Sequence, residues 1–140
     1  MQRVVCDVGV VISGLLAAHG PPARVLDQWR DGVFDLIVSP LWIAELDRVV
    51  ARPKIGRYVE PIDAAELREA IVREAVIVAD PPAQPGLTPD PGDDYLVGLA
   101  RAAAADCIVS GDHHLLDLAA ATPPVVTPRA FLEALSPPRP

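Results

Sequence analysis

The sequence predicts an α/β protein: a three-layer α/β/α sandwich around a central, mostly parallel sheet of four to five strands. Short apolar runs that alternate with amphipathic stretches predict it first. The apolar runs are continuous rather than alternating, as in strands and helices covered on both faces. One run ends directly at Asp7 and another reaches Asp112 through a two-residue turn, which suits a sheet that carries its chemistry at one edge.

The first strand spans Val4–Cys6 and stops at Asp7. A helical stretch around Val11–Ala18 breaks at His19-Gly20. Pro21-Pro22 opens a helix through Arg30, because proline is tolerated in a first turn whose N–H groups have no partner. Gly32 ends it. Phe34–Val38 is the second strand, and Ser39-Pro40 reads as a cap followed by proline at the first helical position. Leu41, Ile43, Leu46, Val49 and Val50 give the next helix its apolar stripe. It stops or bends at Arg52-Pro53, and a short helical piece follows near Lys54–Val59.

Asp63 begins a helix over Ala64–Ala75, which runs into a strand at Val76–Val78. Residues 80–92 hold five prolines and two glycines and read as a surface loop within one domain. Asp93 or Asp94 starts the helix bearing Leu96, Leu99 and Ala100. Cys107–Val109 is a buried strand, and Ser110-Gly111 turns the chain at Asp112. A short helix at Leu115–Ala121, a strand at Val125-Val126 and a helix at Ala130–Leu135 complete a single domain over residues 1–136. Residues 137–140 read as a frayed tail.

At 140 residues, 51% hydrophobic and 22% charged, the chain supports one core and is not disordered. Its mean hydropathy is +0.29. No apolar run approaches the roughly 20 residues that span a bilayer, and Asp7 interrupts the only stretch resembling a signal sequence. A cytoplasmic location without membrane partners is expected. Cys6 and Cys107 read as two small buried hydrophobes, not as a disulfide or zinc site. The net charge of −7 and pI near 4.8 argue against generic nucleic-acid adhesion, but a carboxylate cluster neutralised by cations would lower the net charge in the same way.

In open parallel sheets functional groups collect outside the carboxyl ends of the strands. Asp7 and Asp112 follow two separate strands at that edge. Asp94 joins them at a helix start, where the macrodipole favours negative charge. Glu45 lies about a turn and a half into the helix after the second strand. Each acid alone has a plainer role: Asp7, Asp94 and Asp112 as helix starts, Glu45 as a solvated residue. Together they suggest a divalent cation, which relieves repulsion among clustered carboxylates and prefers oxygen ligands. Such a site activates water and stabilises the charge developing during phosphodiester cleavage.

The strand ending in Asp7, Ser39-Pro40 leading to Glu45-Leu46, DDYLVGLA from Asp93 and DCIVSGDHHLL from Asp106 resemble the PIN-domain nucleases. More narrowly, they are similar to the VapC-like ribonuclease toxins of type II toxin–antitoxin systems. The resemblance spans about Val4 to Leu135 and implies a sheet of order 3-2-1-4-5. It implies endoribonuclease catalysis by Asp7, Glu45, Asp94 and Asp112, with Asp7, Asp94 and Asp112 binding Mg²⁺ or Mn²⁺. Asp93 is the substitute for Asp94, and Ser110 a hydroxyl that supports a carboxylate or metal-bound water. The sequence departs from the family at Gly9, where a polar residue usually stands two places after the first acid, and at His114, where relatives often carry Asp. Gly9 removes a hydrogen bond that such carboxylates usually receive.

The resemblance further implies an RNA substrate, a small cognate antitoxin and a homodimer. Arg48, Arg52, Lys54 and Arg57 are candidates for RNA phosphate contacts, or equally a solvated charged face. An acidic pocket also suits an antitoxin arginine. Trp42 fits the core better than an interface. The alternative function is a catalytically weakened PIN domain that binds RNA or protein. A phosphotransfer receiver is disfavoured because Lys54, the only lysine, lies in the wrong region. A haloacid-dehalogenase-like phosphatase is disfavoured because Gly9 occupies the place of its second Asp.

Overall fold

The computed structural model describes residues 1–82, 91–117 and 122–135; the side chains of 91–93 lie outside that description. In chain order the elements are β1 (Arg3–Cys6), α1 (Val8–Leu16), α2 (Pro21–Arg30), β2 (Asp35–Val38), α3 (Pro40–Val50), α4 (Pro53–Gly56), α5 (Pro61–Glu74), β3 (Val76–Ile77), α6 (Pro91–Ala102), β4 (Cys107–Val109), α7 (His113–Leu116), β5 (Val125–Val126) and α8 (Pro128–Leu135). The expected loop over 83–90, the end of the helix expected through Ala121 and the tail over 137–140 lie outside the described residues.

The five strands form one parallel sheet in the order β3-β2-β1-β4-β5, as the family resemblance implied. In β1, Val4, Val5 and Cys6 are fully buried, as are Ile37, Val38, Ile108 and Val109 in its neighbours. Helices cover both faces, so these strands carry no polar alternation. Crossovers run to one side from β1 to β2 to β3, then return past β1 to β4. Right-handed connections therefore place α6 on the face opposite α1 and α2. Helix α6 packs on β1 and β4, while α2 packs on α1 and α8. An edge-to-face contact between Phe34 and Phe131, with ring centroids 5.0 Å apart, holds α8 to this side.

Helix starts depart from the sequence expectation in a consistent direction. Helices α4, α5, α6 and α8 begin at Pro53, Pro61, Pro91 and Pro128, one to three residues earlier than read. Proline at the first helical position costs nothing there and presets the backbone. Helix α1 likewise starts at Val8, because Asp7 caps it: its side chain accepts from the Gly9 N–H. Helix ends follow known stop signals. After α2, Gly32 has φ +79°, the Gly32 N–H bonds the Trp29 carbonyl and the Val33 N–H bonds the Gln28 carbonyl, a Schellman motif. After α6 the same motif recurs with an alanine in the left-handed position: Ala104 has φ 52°, with the Ala104 N–H on Arg101 and the Ala105 N–H on Ala100.

Candidate functional site

The strand order reverses at β1 and β4, and the crevice beyond their carboxyl ends is where open α/β sheets place ligands. Cys6 and Val109 are register partners, so the next residues, Asp7 and Ser110, leave the sheet side by side. The Asp7 N–H continues the ladder by bonding the Val109 carbonyl at 2.9 Å.

Ser110, fully buried, joins the two strand-end acids. Its hydroxyl donates to Asp7 Oδ2 at 3.0 Å and accepts the Asp112 N–H at 3.0 Å. Asp7 Oδ1 accepts the Gly9 N–H at 3.2 Å, and Asp112 Oδ1 accepts the His114 N–H at 2.9 Å. Both aspartates thus cap helices, α1 and α7, as each alone suggested. Capping and a ligand role are compatible, since each carboxylate oxygen has a second lone pair. No hydrogen bond to Asp112 Oδ2 is formed among the described residues.

Asp94 is 8% exposed and is the fourth residue of α6 rather than its first. Helix α6 runs antiparallel to the strands it connects, so its opening turns lie at the same carboxyl edge as Asp7. The structure brings Asp7, Ser110 and Asp112 into one bonded group, with Asp94 on the neighbouring helix. The side chain of Asp93 lies outside the described residues. Glu45 stands apart in its bonding: its half-exposed carboxylate takes a two-pronged contact from Arg48, with Nη2 at 2.6 Å from Oε1 and Nε at 2.9 Å from Oε2. Arg48, a candidate phosphate contact, is therefore engaged by a candidate catalytic acid.

The donor set suits a hard divalent cation, being carboxylate oxygens and one hydroxyl with no thiolate or imidazole required. Among the described residues, no three His, Cys, Asp or Glu side chains stand close enough together to enclose an ion. The chemistry of the residues fits Mg²⁺ or Mn²⁺, then, while the side-chain grouping is more open than a closed cage. Mg²⁺ commonly retains several waters and needs few protein ligands.

Two supports of the site were not read from the sequence. Trp42, 1% exposed, donates from Nε1 to the Cys6 carbonyl at 2.8 Å. This bond ties α3, which carries Glu45, to the peptide preceding Asp7. At the start of α3, the buried Ser39 hydroxyl caps the Trp42 N–H at 3.4 Å and bonds the hydroxyl of Tyr95. Tyr95 also donates to Asp80 Oδ1 at 3.4 Å, which accepts the Leu41 N–H at 3.0 Å. Burial raises the Tyr95 hydroxyl above its ordinary pKa, and the Asp80 charge adds to that shift. The residue after Asp94 is thereby linked to the helix of Glu45. The Ser39 cap had a sequence signal; the tyrosine and Asp80 had none.

The model of the PIN domain family matches residues 3–114. The chain belongs to the PIN-domain family. This PIN domain is similar in structure to PAE2754 from Pyrobaculum aerophilum, with a TM-score of 0.65 and 16% sequence identity over 96% of this chain and 89% of that one. At that identity the likeness concerns the fold. No curated protein matches the chain. PIN domains are generally metal-dependent nucleases, typically using Mg²⁺. No helix among the described residues is long and apolar enough to cross a membrane.

Proposed function

We propose that this PIN domain is a metal-dependent endoribonuclease and the toxin of a bacterial toxin–antitoxin pair. The observation that carries the catalytic reading is the bonded group at the switch point, in which Ser110 bridges Asp7 and the Asp112 backbone. Asp7, Asp94 and Asp112 are the residues that would hold Mg²⁺ or Mn²⁺. A divalent ion there supplies an activated water and a counter-charge for the phosphodiester. The chain's own part is orientation: Ser110 fixes the rotamer of Asp7, and the cap of α7 fixes that of Asp112. Glu45, released from Arg48 when that arginine turns to a phosphate, is the fourth acid. The toxin role, a small antitoxin partner, a homodimer and a cytoplasmic site rest on the sequence resemblance to VapC-like proteins.

The test incubates purified protein with structured RNA and Mg²⁺ or Mn²⁺ beside Asp7→Ala and Asp94→Ala. Metal-dependent cleavage lost in both variants supports the reading. Wild-type protein that binds neither ion by calorimetry overturns it. A second reading, a PIN domain that binds RNA or protein without cutting, draws support from Gly9 and from the Glu45–Arg48 pair, and that calorimetric result would favour it.

A further inference from the structure

Residues 48–59 hold Arg48, Arg52, Lys54 and Arg57, four of the chain's 12 Lys and Arg, and no acid. In a protein of net charge −7 this is a local reversal of sign. Arg48 is taken up by Glu45. Arg52, Lys54 and Arg57 are exposed and form no ion pair among the described residues.

The backbone explains why these groups face outward. An ion pair links helices α3 and α5, with Arg68 clasping Asp47 at 2.7 Å. Between them lies an apolar cavity of about 300 Å³, lined in part by Leu46, Val50, Val59, Ala64 and Leu67. The segment around α4 is the outer tip of the connection between these two helices. Ile55 is half-buried against the core, Val59 is 7% exposed, and the Val59 N–H bonds the Ile55 carbonyl. These two residues, four apart, are the anchors. The positions between them turn outward, and Tyr58 is 72% exposed. Tyr58 is thus a large aromatic ring held in water by an anchored backbone, on the same short segment as Arg52, Lys54 and Arg57.

We infer that this tip is a binding platform for single-stranded RNA, in which Tyr58 stacks on an unpaired base while Arg52, Lys54 and Arg57 hold adjacent phosphates. It rests on the proposed ribonuclease function for the identity of the nucleic acid. Cationic side chains attract the backbone without regard to sequence, and an aromatic face accepts any base. Bases within a duplex are already stacked and cannot reach the ring, so single strands are preferred. An acidic protein partner would use the cations but would have no need of an unpaired base.

The test measures binding of a short labelled single-stranded RNA, and of its duplex, by fluorescence anisotropy in EDTA, so that cleavage plays no part. Tyr58→Ala weakens single-strand binding about fivefold or more, while Tyr58→Phe, which keeps the ring, binds as wild type. Removing each of Arg52, Lys54 and Arg57 lowers the slope of log affinity against log salt by about 0.7. The duplex binds more weakly and does not respond to Tyr58→Ala. Thermal melting stays unchanged for Tyr58→Ala, because the ring is outside the core. Wild-type affinity in Tyr58→Ala, equal losses on single strand and duplex, or no binding by wild-type protein would each overturn the inference. Stacking that responds to Tyr58 in a protein that cuts no RNA upholds the platform while the nuclease reading falls. Cleavage and affinity undiminished by Tyr58→Ala do the reverse.

Discussion

Replacing Ser110 by alanine probes the junction between Asp7 and Asp112 most directly. Ser110→Ala deletes a hydroxyl that is fully buried and makes two bonds of 3.0 Å. The bond to the Asp7 carboxylate is worth about 1.5–3 kcal/mol, and the bond from the Asp112 N–H about 1 kcal/mol. Asp7 and Asp112 are themselves only half-buried, so water recovers part of both. The net loss is about 2 kcal/mol, which for a domain of this size lowers the melting temperature by about 6 °C. The same deletion removes the bond to Asp7 Oδ2 and leaves the carboxylate held through Oδ1 by the Gly9 N–H. Removing such a supporting bond weakens metal binding about 10- to 100-fold. Calorimetric titration with Mn²⁺ and a thermal melt on the same sample read both effects. A variant that melts within a degree of wild type and binds Mn²⁺ equally well would refute the bridging role.

Gly9 offers the opposite perturbation. Among the described residues, a Cβ there would meet the Asp7 carboxyl group at 3.8 and 3.9 Å, so Gly9→Ser fits and adds a hydroxyl beside Asp7; tighter Mn²⁺ binding is expected, and unchanged or weaker binding counts against the carboxylate as a ligand. Ala104→Gly removes the cost of a left-handed alanine at φ 52° and should stabilise the protein by about 1 kcal/mol, read as a higher urea midpoint at constant slope. Burial, with the Asp106 charge adding, pushes the Cys107 thiol up to about 11 from its ordinary 9.0, and burial raises Cys6 further still. The native state therefore holds these protons longer than the unfolded chain, so stability is intact below pH 9 and falls as pH rises from 9 through about 11. Urea midpoints across that range test the sign, and both thiols should resist a thiol reagent at pH 8 until the protein unfolds.

The fold was legible because its signals are local. Val4–Cys6 and Cys107–Val109 are continuous apolar runs, and Ser39-Pro40 is a cap with its proline. The helix starts at Pro53, Pro61, Pro91 and Pro128 are less legible, because each proline begins its helix rather than preceding it. For the site, Asp7 and Asp112 were legible from strand ends alone. Asp94 is legible from its helix start together with the family spacing, and Glu45 mostly from the resemblance; the Glu45 carboxylate engages Arg48.

By itself, the sequence determined the parallel sheet and which acids emerge at its carboxyl edge, since periodicity, capping and turn chemistry act over a few residues. Tertiary structure alone decided what those acids touch. Ser110 and Asp7 are 103 positions apart, Trp42 and Cys6 are 36 apart, and Ser39 and Tyr95 are 56 apart. No local rule pairs such residues. They meet because β4 inserts beside β1 and because burial leaves each polar atom only the partners that the packed chain brings within reach.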